Sequence, residues 1–192
     1  MQQLVFVTNN RHKMEEVARK ISDKIELLSL ADIGCFDEIA ETGSTFHENA
    51  ALKSNFIYKK YHLDCFADDS GLEVDALKGE PGIYSARYAG VHGDHEANIS
   101  KVLEKLTDET NRSARFKTVI SLVWKGESYF FEGAVEGTIR LSSSGIAGFG
   151  YDPIFEPDGY DKTFAEMTMD EKNRISHRGK ALDELAAFLS KA

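Results

Sequence analysis

The stretch Phe66-Ala67-Asp68-Asp69-Ser70-Gly71-Leu72-Glu73-Val74-Asp75 limits the fold more than any other part of the chain. An apolar run, Cys65-Phe66-Ala67, stops at two adjacent carboxylates, and a Ser-Gly pair follows. Such a run predicts a buried strand of an open α/β sheet, where ligands lie just beyond the carboxyl ends of the strands. Two neighbouring aspartates repel unless a cation or a shared proton offsets the charge. The expectation is a strand over 65–68, a turn at Ser70-Gly71, a further short strand over 72–76, and a metal-assisted site at the junction.

The flanking pattern alternates helix and strand. Leu4 to Val7 is an apolar run that ends at the cap-forming residues Thr8-Asn9-Asn10, and Met14, Val17, Ala18 and Ile21 recur at helical spacing. Ile25 to Leu28 predicts a second strand. Thr45-x-x-Glu48 has capping-box spacing and opens a helix to about Tyr61. The glycines between Gly79 and Gly93 predict a loop, and a helix follows over His95–Leu106. Two β-rich runs around Lys125-Gly126-Glu127 predict a hairpin, and Ser142 to Gly150 a loop. Thr168-x-x-Glu171 is a second capping box, and Leu182, Leu185, Ala186 and Leu189 mark a final helix. Alternation followed by a hairpin predicts an α/β fold with a mixed sheet.

The chain has 192 residues and a net charge of −9, which argues against a duplex nucleic-acid binder. A small anionic substrate remains compatible, because local lysines and a divalent metal reverse the sign inside one site. Cys35 and Cys65 form no C-x-x-C pair and predict buried free thiols in a reducing, cytoplasmic compartment. No apolar run reaches transmembrane length, and the opening strand is too short for a signal peptide, so no membrane association is expected.

Several clusters point to chemistry. Arg11, His12 and Lys13 follow Thr8-Asn9-Asn10 in a first helical turn, where the macrodipole disfavours cations. Either an anion binds there or the charges point to solvent; spacing leaves both open. Lys53 falls inside the apolar stripe of Phe46, Ala50, Ile57 and Tyr61. A lysine there either meets an anion or packs its stem and sends its head to water. Glu41, ahead of that helix, is either a candidate third carboxylate for a metal, with Asp68 and Asp69, or a solvated loop glutamate. Magnesium takes one or two carboxylates plus water and phosphate oxygens. Gly148-Phe149-Gly150-Tyr151-Asp152-Pro153 sets two aromatics among glycines, either to stack on a base or as an ordinary turn. In Ser176-His177-Arg178-Gly179, His177 and Arg178 are candidate donors to a base oxygen, and Ser176 is a candidate helix cap. Lys172 is uninformative on spacing alone.

Together these segments resemble the inosine triphosphate pyrophosphatase family, the Ham-type pyrophosphatases of non-standard purine nucleoside triphosphates. The resemblance rests on Thr8-Asn9-Asn10-x-x-Lys13, Glu41-Thr42-Gly43-x-Thr45-Phe46-x-Glu48-Asn49-Ala50-x-x-Lys53, Ala67-Asp68-Asp69-Ser70-Gly71-Leu72, Pro81-Gly82-Ile83-Tyr84-Ser85-Ala86-Arg87-Tyr88, Gly148-Phe149-Gly150-Tyr151-Asp152-Pro153-Ile154-Phe155 and Ser176-His177-Arg178-Gly179. The motifs appear in family order over residues 8–179.

The resemblance implies one elongated, two-lobed α/β domain over residues 1–192, around a long mixed twisted sheet with the active site in the cleft between the lobes. It implies a magnesium-dependent homodimer that cleaves ITP, dITP or XTP to the monophosphate and pyrophosphate. By position, Thr8, Asn9, Asn10, Arg11, His12, Lys13 and Lys53 would hold phosphates. Glu41, Asp69 and Asp68 would serve the metal, with Asp69 also the general base. Ser70, Phe149, Gly150, Tyr151, Asp152, Lys172, His177 and Arg178 would contact the substrate.

Three rivals fit less well. An aspartyl-phosphate phosphatase needs D-x-D after the first strand, where this chain has Thr8-Asn9-Asn10. The related Maf-type pyrophosphatases act on modified pyrimidines, and the Phe149–Asp152 and His177-Arg178 motifs favour purines. A nucleotide sensor without turnover has no need of Asp69, Glu41, Lys13 and Lys53 together. A P-loop is absent.

Overall fold

The computed structural model describes residues 2–21 and 25–191, so Met1 of the opening run lies outside the described residues. The elements in order are β1 (Gln2–Phe6), α1 (Arg11–Ala18), β2 (Ile25–Leu28), α2 (Phe46–Tyr61), β3 (Cys65–Val74), α3 (His95–Lys105), β4 (Ser113–Trp124), β5 (Glu127–Ile139), β6 (Phe155–Pro157), α4 (Met169–Ile175) and α5 (His177–Leu189). Six strands form one sheet in the order β2-β1-β3-β4-β5-β6. The sheet is mixed: β1 pairs parallel with β2 and β3, and β5 pairs antiparallel with β6. The α/β fold with a mixed sheet is thus the one expected. The β4–β5 connection is the two-residue turn Lys125-Gly126, with φ of 51° and 88°. Two positive φ values give the turn whose twist matches that of the strands, so the predicted hairpin forms here.

Contacts divide the chain into two compact units. The first comprises residues 1–69, 118–132 and 180–192. Its central strands β1, β3 and β4 are buried on both faces from Leu4, Cys65 and Thr118 onward, and the period-two pleat sorts their side chains. Leu4, Phe6, Phe66, Ile120 and Leu122 pack with Val17 of α1 and Ala181, Leu182 and Leu185 of α5. Val5, Val7, Cys65, Ala67 and Val123 pack on the other face with Ile57 of α2. Burial on both faces explains why these strands read as continuous apolar runs. Each fully buried Leu, Ile or Phe contributes roughly 1.5–3 kcal/mol.

The second unit comprises residues 70–117 and 133–179. Leu72 and Val74 of β3, Phe116 of β4 and Val135 and Ile139 of β5 pack with Ile99 and Val102 of α3 and with Ile154, Phe155 and Phe164. Phe116 stands edge-on to Phe155 at 4.7 Å and stacked on Phe164 at 6.0 Å.

Three local expectations need correction. No turn forms at Ser70-Gly71: β3 runs unbroken from Cys65 to Val74. Ala67 and Leu72, on either side, are fully buried. Gly71 is not among the positive-φ glycines, and the Leu72 N–H donates to Ser85 Oγ at 2.9 Å. The capping box of α2 is only half formed. Thr45 accepts from the Glu48 N–H, while the Glu48 carboxylate accepts from Ser44 N and Oγ. The loop over 79–93 contains a 3-10 segment, Gly82–Arg87. The second capping box, Thr168 with Glu171, forms in full.

Candidate active site

β1 ends at Phe6, and its register with β3 runs only to Phe66. Asp68 and Asp69 lie just past that point, so they flank the end of β1 even though β3 continues. Adjacent residues of a strand point to opposite faces. Asp68 shares parity with Phe66, on the α1 and α5 face; Asp69 shares parity with Cys65 and Ala67, on the α2 face. Lys13 of α1 accordingly meets Asp68 at 2.9 Å, and Asn49 of α2 donates Nδ2–H to Asp69 Oδ2 at 3.1 Å. The two carboxylates expected to crowd one position are separated by the sheet itself. Adjacency in the chain therefore places the two side chains on opposite faces of β3.

Asp69 is 7% exposed. Burial pushes its carboxyl above the usual range, Lys53 opposes that, and Glu41 adds to it. Lys53 donates to the Glu41 carboxylate and to the Asp68 backbone oxygen at 2.7 Å. Burial alone would lower its pKa, but Glu41, Asp69 and Asp68 outweigh burial and raise it, so the ammonium is held charged. Of the two fates open to this lysine, the polar site is the one observed, and its side chain is 13% exposed.

The α1 N-terminus is partly self-satisfied. Asn10 Oδ1 accepts from the N–H groups of His12 and Lys13, and Thr8 Oγ1 accepts from Asn10 N–H. Lys13 turns inward to Asp68. Arg11 turns outward to Glu15, with its side chain 90% exposed, which is the solvated alternative. Asn9 takes no part in these caps.

Glu41, Asp69 and the Asp68 carbonyl form an all-oxygen donor set around Lys53, suited to a hard divalent cation. Among the described residues no group of three His, Cys, Asp or Glu side chains forms a metal cage. The Asp68 carboxylate lies on the Lys13 side and does not join Glu41 and Asp69.

The second unit presents a different surface. Gly148 has φ of 76°, and a Cβ there would lie 2.0 Å from Asp152 Oδ2. That close approach lets the Phe149 N–H donate to Asp152 Oδ2 at 2.9 Å. Lys172 Nζ donates to the same oxygen at 2.8 Å in a buried pair, and lies 4.8 Å from the Phe149 ring centre. The Arg178 guanidinium stands 5.6 Å from the same ring, and its Nη2 donates to Ser70 Oγ at 3.2 Å. The His177 ring stacks on Phe116 at 4.7 Å and 11°. Ser176 Oγ accepts the Gly179 N–H, so it does cap α5, beside His177 and Arg178 rather than instead of them.

Phe149 is partly exposed, flanked by Lys172 and Arg178, and fits the stacking role. Tyr151 does not. It is 4% exposed, and its hydroxyl donates to the Ser85 carbonyl at 2.7 Å, which makes it a strut of the core. Phe116, beneath His177, went unnoticed because its alternating strand position carries only a core signal. Asn49 stands in the motif that carries the resemblance but has no role assigned there, although a carboxamide inside an apolar helical stripe is a readable signal.

A model of the Ham1 family matches residues 4–188. Among curated proteins, the dITP/XTP pyrophosphatase of Flavobacterium johnsoniae is 50% identical over 187 residues, covering 97% of each chain. That of Bacillus subtilis is 45% identical over 193 residues, covering 98% of each. Among solved structures, the Staphylococcus aureus Ham1 protein superposes with a TM-score of 0.91 at 44% identity, covering 99% of each chain. A HAM1 protein from Coxiella burnetii gives 0.93 at 39% identity over the full length of both.

Proposed function

We infer the activity from the family to which the chain belongs, the Ham1 family: it hydrolyses non-standard purine nucleoside triphosphates, dITP, XTP and ITP, to the monophosphate and pyrophosphate. The observation that carries this reading is Asp69, a buried carboxylate between Lys53 and Asn49 with Glu41 nearby.

Water attacks the α-phosphorus and pyrophosphate leaves. Asp69 accepts the proton of that water, and its raised pKa makes it a better base than a solvated aspartate. Magnesium is the metal we propose, held by Glu41 and Asp69; when bound it neutralises phosphate charge and steadies the leaving group. Lys53 and Lys13 supply positive charge to the triphosphate, assisted by Thr8, Asn9, Asn10 and His12. In the second unit, Phe149 stacks on the purine, and Lys172 and Asp152 fix that ring in place. His177 and Arg178 donate toward the base. Hypoxanthine and xanthine offer an acceptor at O6 where adenine offers an amino donor. Donors left unpaired by adenine can reject it by ~10⁴–10⁵.

The chain is proposed to act as a homodimer in the cytoplasm. Its two buried free thiols support a reducing compartment, and among the described residues no helix is long and apolar enough to cross a membrane. Turnover in ¹⁸O-labelled water tests the bond cleaved. The label is expected in the monophosphate; label in pyrophosphate would move the attack to the β-phosphorus.

A further inference from the structure

Asn49 is fully buried in α2, among Phe46, Ala50 and Ile57. A buried carboxamide costs stability unless its donors and acceptor are met. Asn49 Oδ1 accepts the Gly43 N–H at 2.8 Å, and its Nδ2 donates to Asp69 Oδ2 at 3.1 Å. One side chain therefore ties the Glu41-Thr42-Gly43 segment to β3. The approach is close enough to exclude any side chain at position 43. A Cβ there would lie 2.6 Å from Glu48 Cβ and 2.7 Å from Asn49 Oδ1. The amide orientation is fixed by its partners: only oxygen can accept from Gly43, which leaves the NH₂ to face the carboxylate.

The geometry points to Asn49 as a positioning residue that holds the Glu41 segment and the Asp69 carboxylate in one fixed relation. This rests on the reading of Glu41 and Asp69 as the metal-side carboxylates. Its consequence is specific. The Asn49 bond to Asp69 Oδ2 fixes the rotation of that carboxylate, and with it the face offered to the metal and the attacking water. It also fixes Glu41 two residues from the clamped amide. Gly43 is thereby required for approach and not for a turn, since its φ is not positive.

Two variants separate the two halves of the clamp. Asn49→Ala removes both bonds. Asn49→Asp keeps an acceptor for Gly43 but replaces the donor on Asp69 with a like charge. Outer partners of metal ligands typically cost 10–100-fold when removed. Both variants are expected to lower kcat for dITP by ~10–100-fold while KM stays near the wild-type value. Hydrogen exchange at the Gly43 amide reads the clamp without turnover: Asn49→Ala is expected to lose its protection and Asn49→Asp to keep it. Equal Gly43 protection in Asn49→Ala, or kcat within about twofold of wild type in both variants, would overturn the inference. A wild-type protein inert on dITP overturns the proposed function instead, and the exchange result still judges the clamp.

Discussion

At the residue scale, Asp69 is the group whose chemistry and stability pull apart. Burial disfavours its ionised form and outweighs the opposing Lys53 charge, and Glu41 adds to burial. Its folded pKa lies above the unfolded value, so the protonated state favours folding. That contribution is full below the unfolded pKa and is lost as pH rises through the folded one. At neutral pH the ionised Asp69 therefore costs stability. Asp69→Asn is expected to lower kcat by ~10²–10⁴ while its melting temperature in EDTA at neutral pH equals or exceeds that of wild type. A clear fall in melting temperature would contradict this account of the site's electrostatics. Lys13 is the opposite case. Its partner Asp68 has a side chain only 2% exposed, and removing one member of a buried pair strands the other. Lys13→Met is expected to destabilise by about 3 kcal/mol in chemical denaturation, with Lys13→Arg losing much less. Equal stability of Lys13→Met and wild type would mean that Asp68 is satisfied by other groups.

At the element scale, α4 and β3 decide what the residues meet. The full capping box at Thr168 fixes the start of a seven-residue helix that carries Lys172 onto Asp152. Thr168→Ala is expected to cost about 1 kcal/mol and to raise KM for dITP with kcat little changed, because the cap acts on base binding. A fall in kcat at constant KM would contradict that assignment. Cys65 begins β3 with full burial, which pushes its thiol up to about 12. It is expected to stay unreactive toward thiol reagents in the native protein and to react only on unfolding. Most of these elements were legible in the sequence, because helix periodicity, capping pairs and the Lys125-Gly126 turn are local signals. Lys53 was legible for the same reason, as a charge in an apolar stripe. Three features were not. Ser70 and Gly71 carry turn propensity, yet burial of Ala67 and Leu72 keeps the strand unbroken through them. Asp68 and Asp69 are neighbours in sequence, and only the pleat shows that they face different helices. Tyr151 looked available because its partner, the Ser85 carbonyl, is 66 residues away in the chain.

At the scale of the whole molecule, each unit has its own core and its own share of the chemistry. The first holds the carboxylates and lysines suited to a metal and phosphates. The second holds the aromatic and cationic groups suited to a base. The Asp69–Ser70 peptide bond joins the two sets, because β3 passes from one unit to the other there. In the sequence, two lobes are an implication of the family resemblance alone, because no linker or shift in composition marks a boundary. The most direct test is pyrophosphate release from dITP, XTP, dATP and dGTP, each with magnesium and with EDTA. Magnesium-dependent release from dITP and XTP, with dATP and dGTP turned over far more slowly, is the predicted result. Equal release from all four, or release that persists in EDTA, would contradict the account.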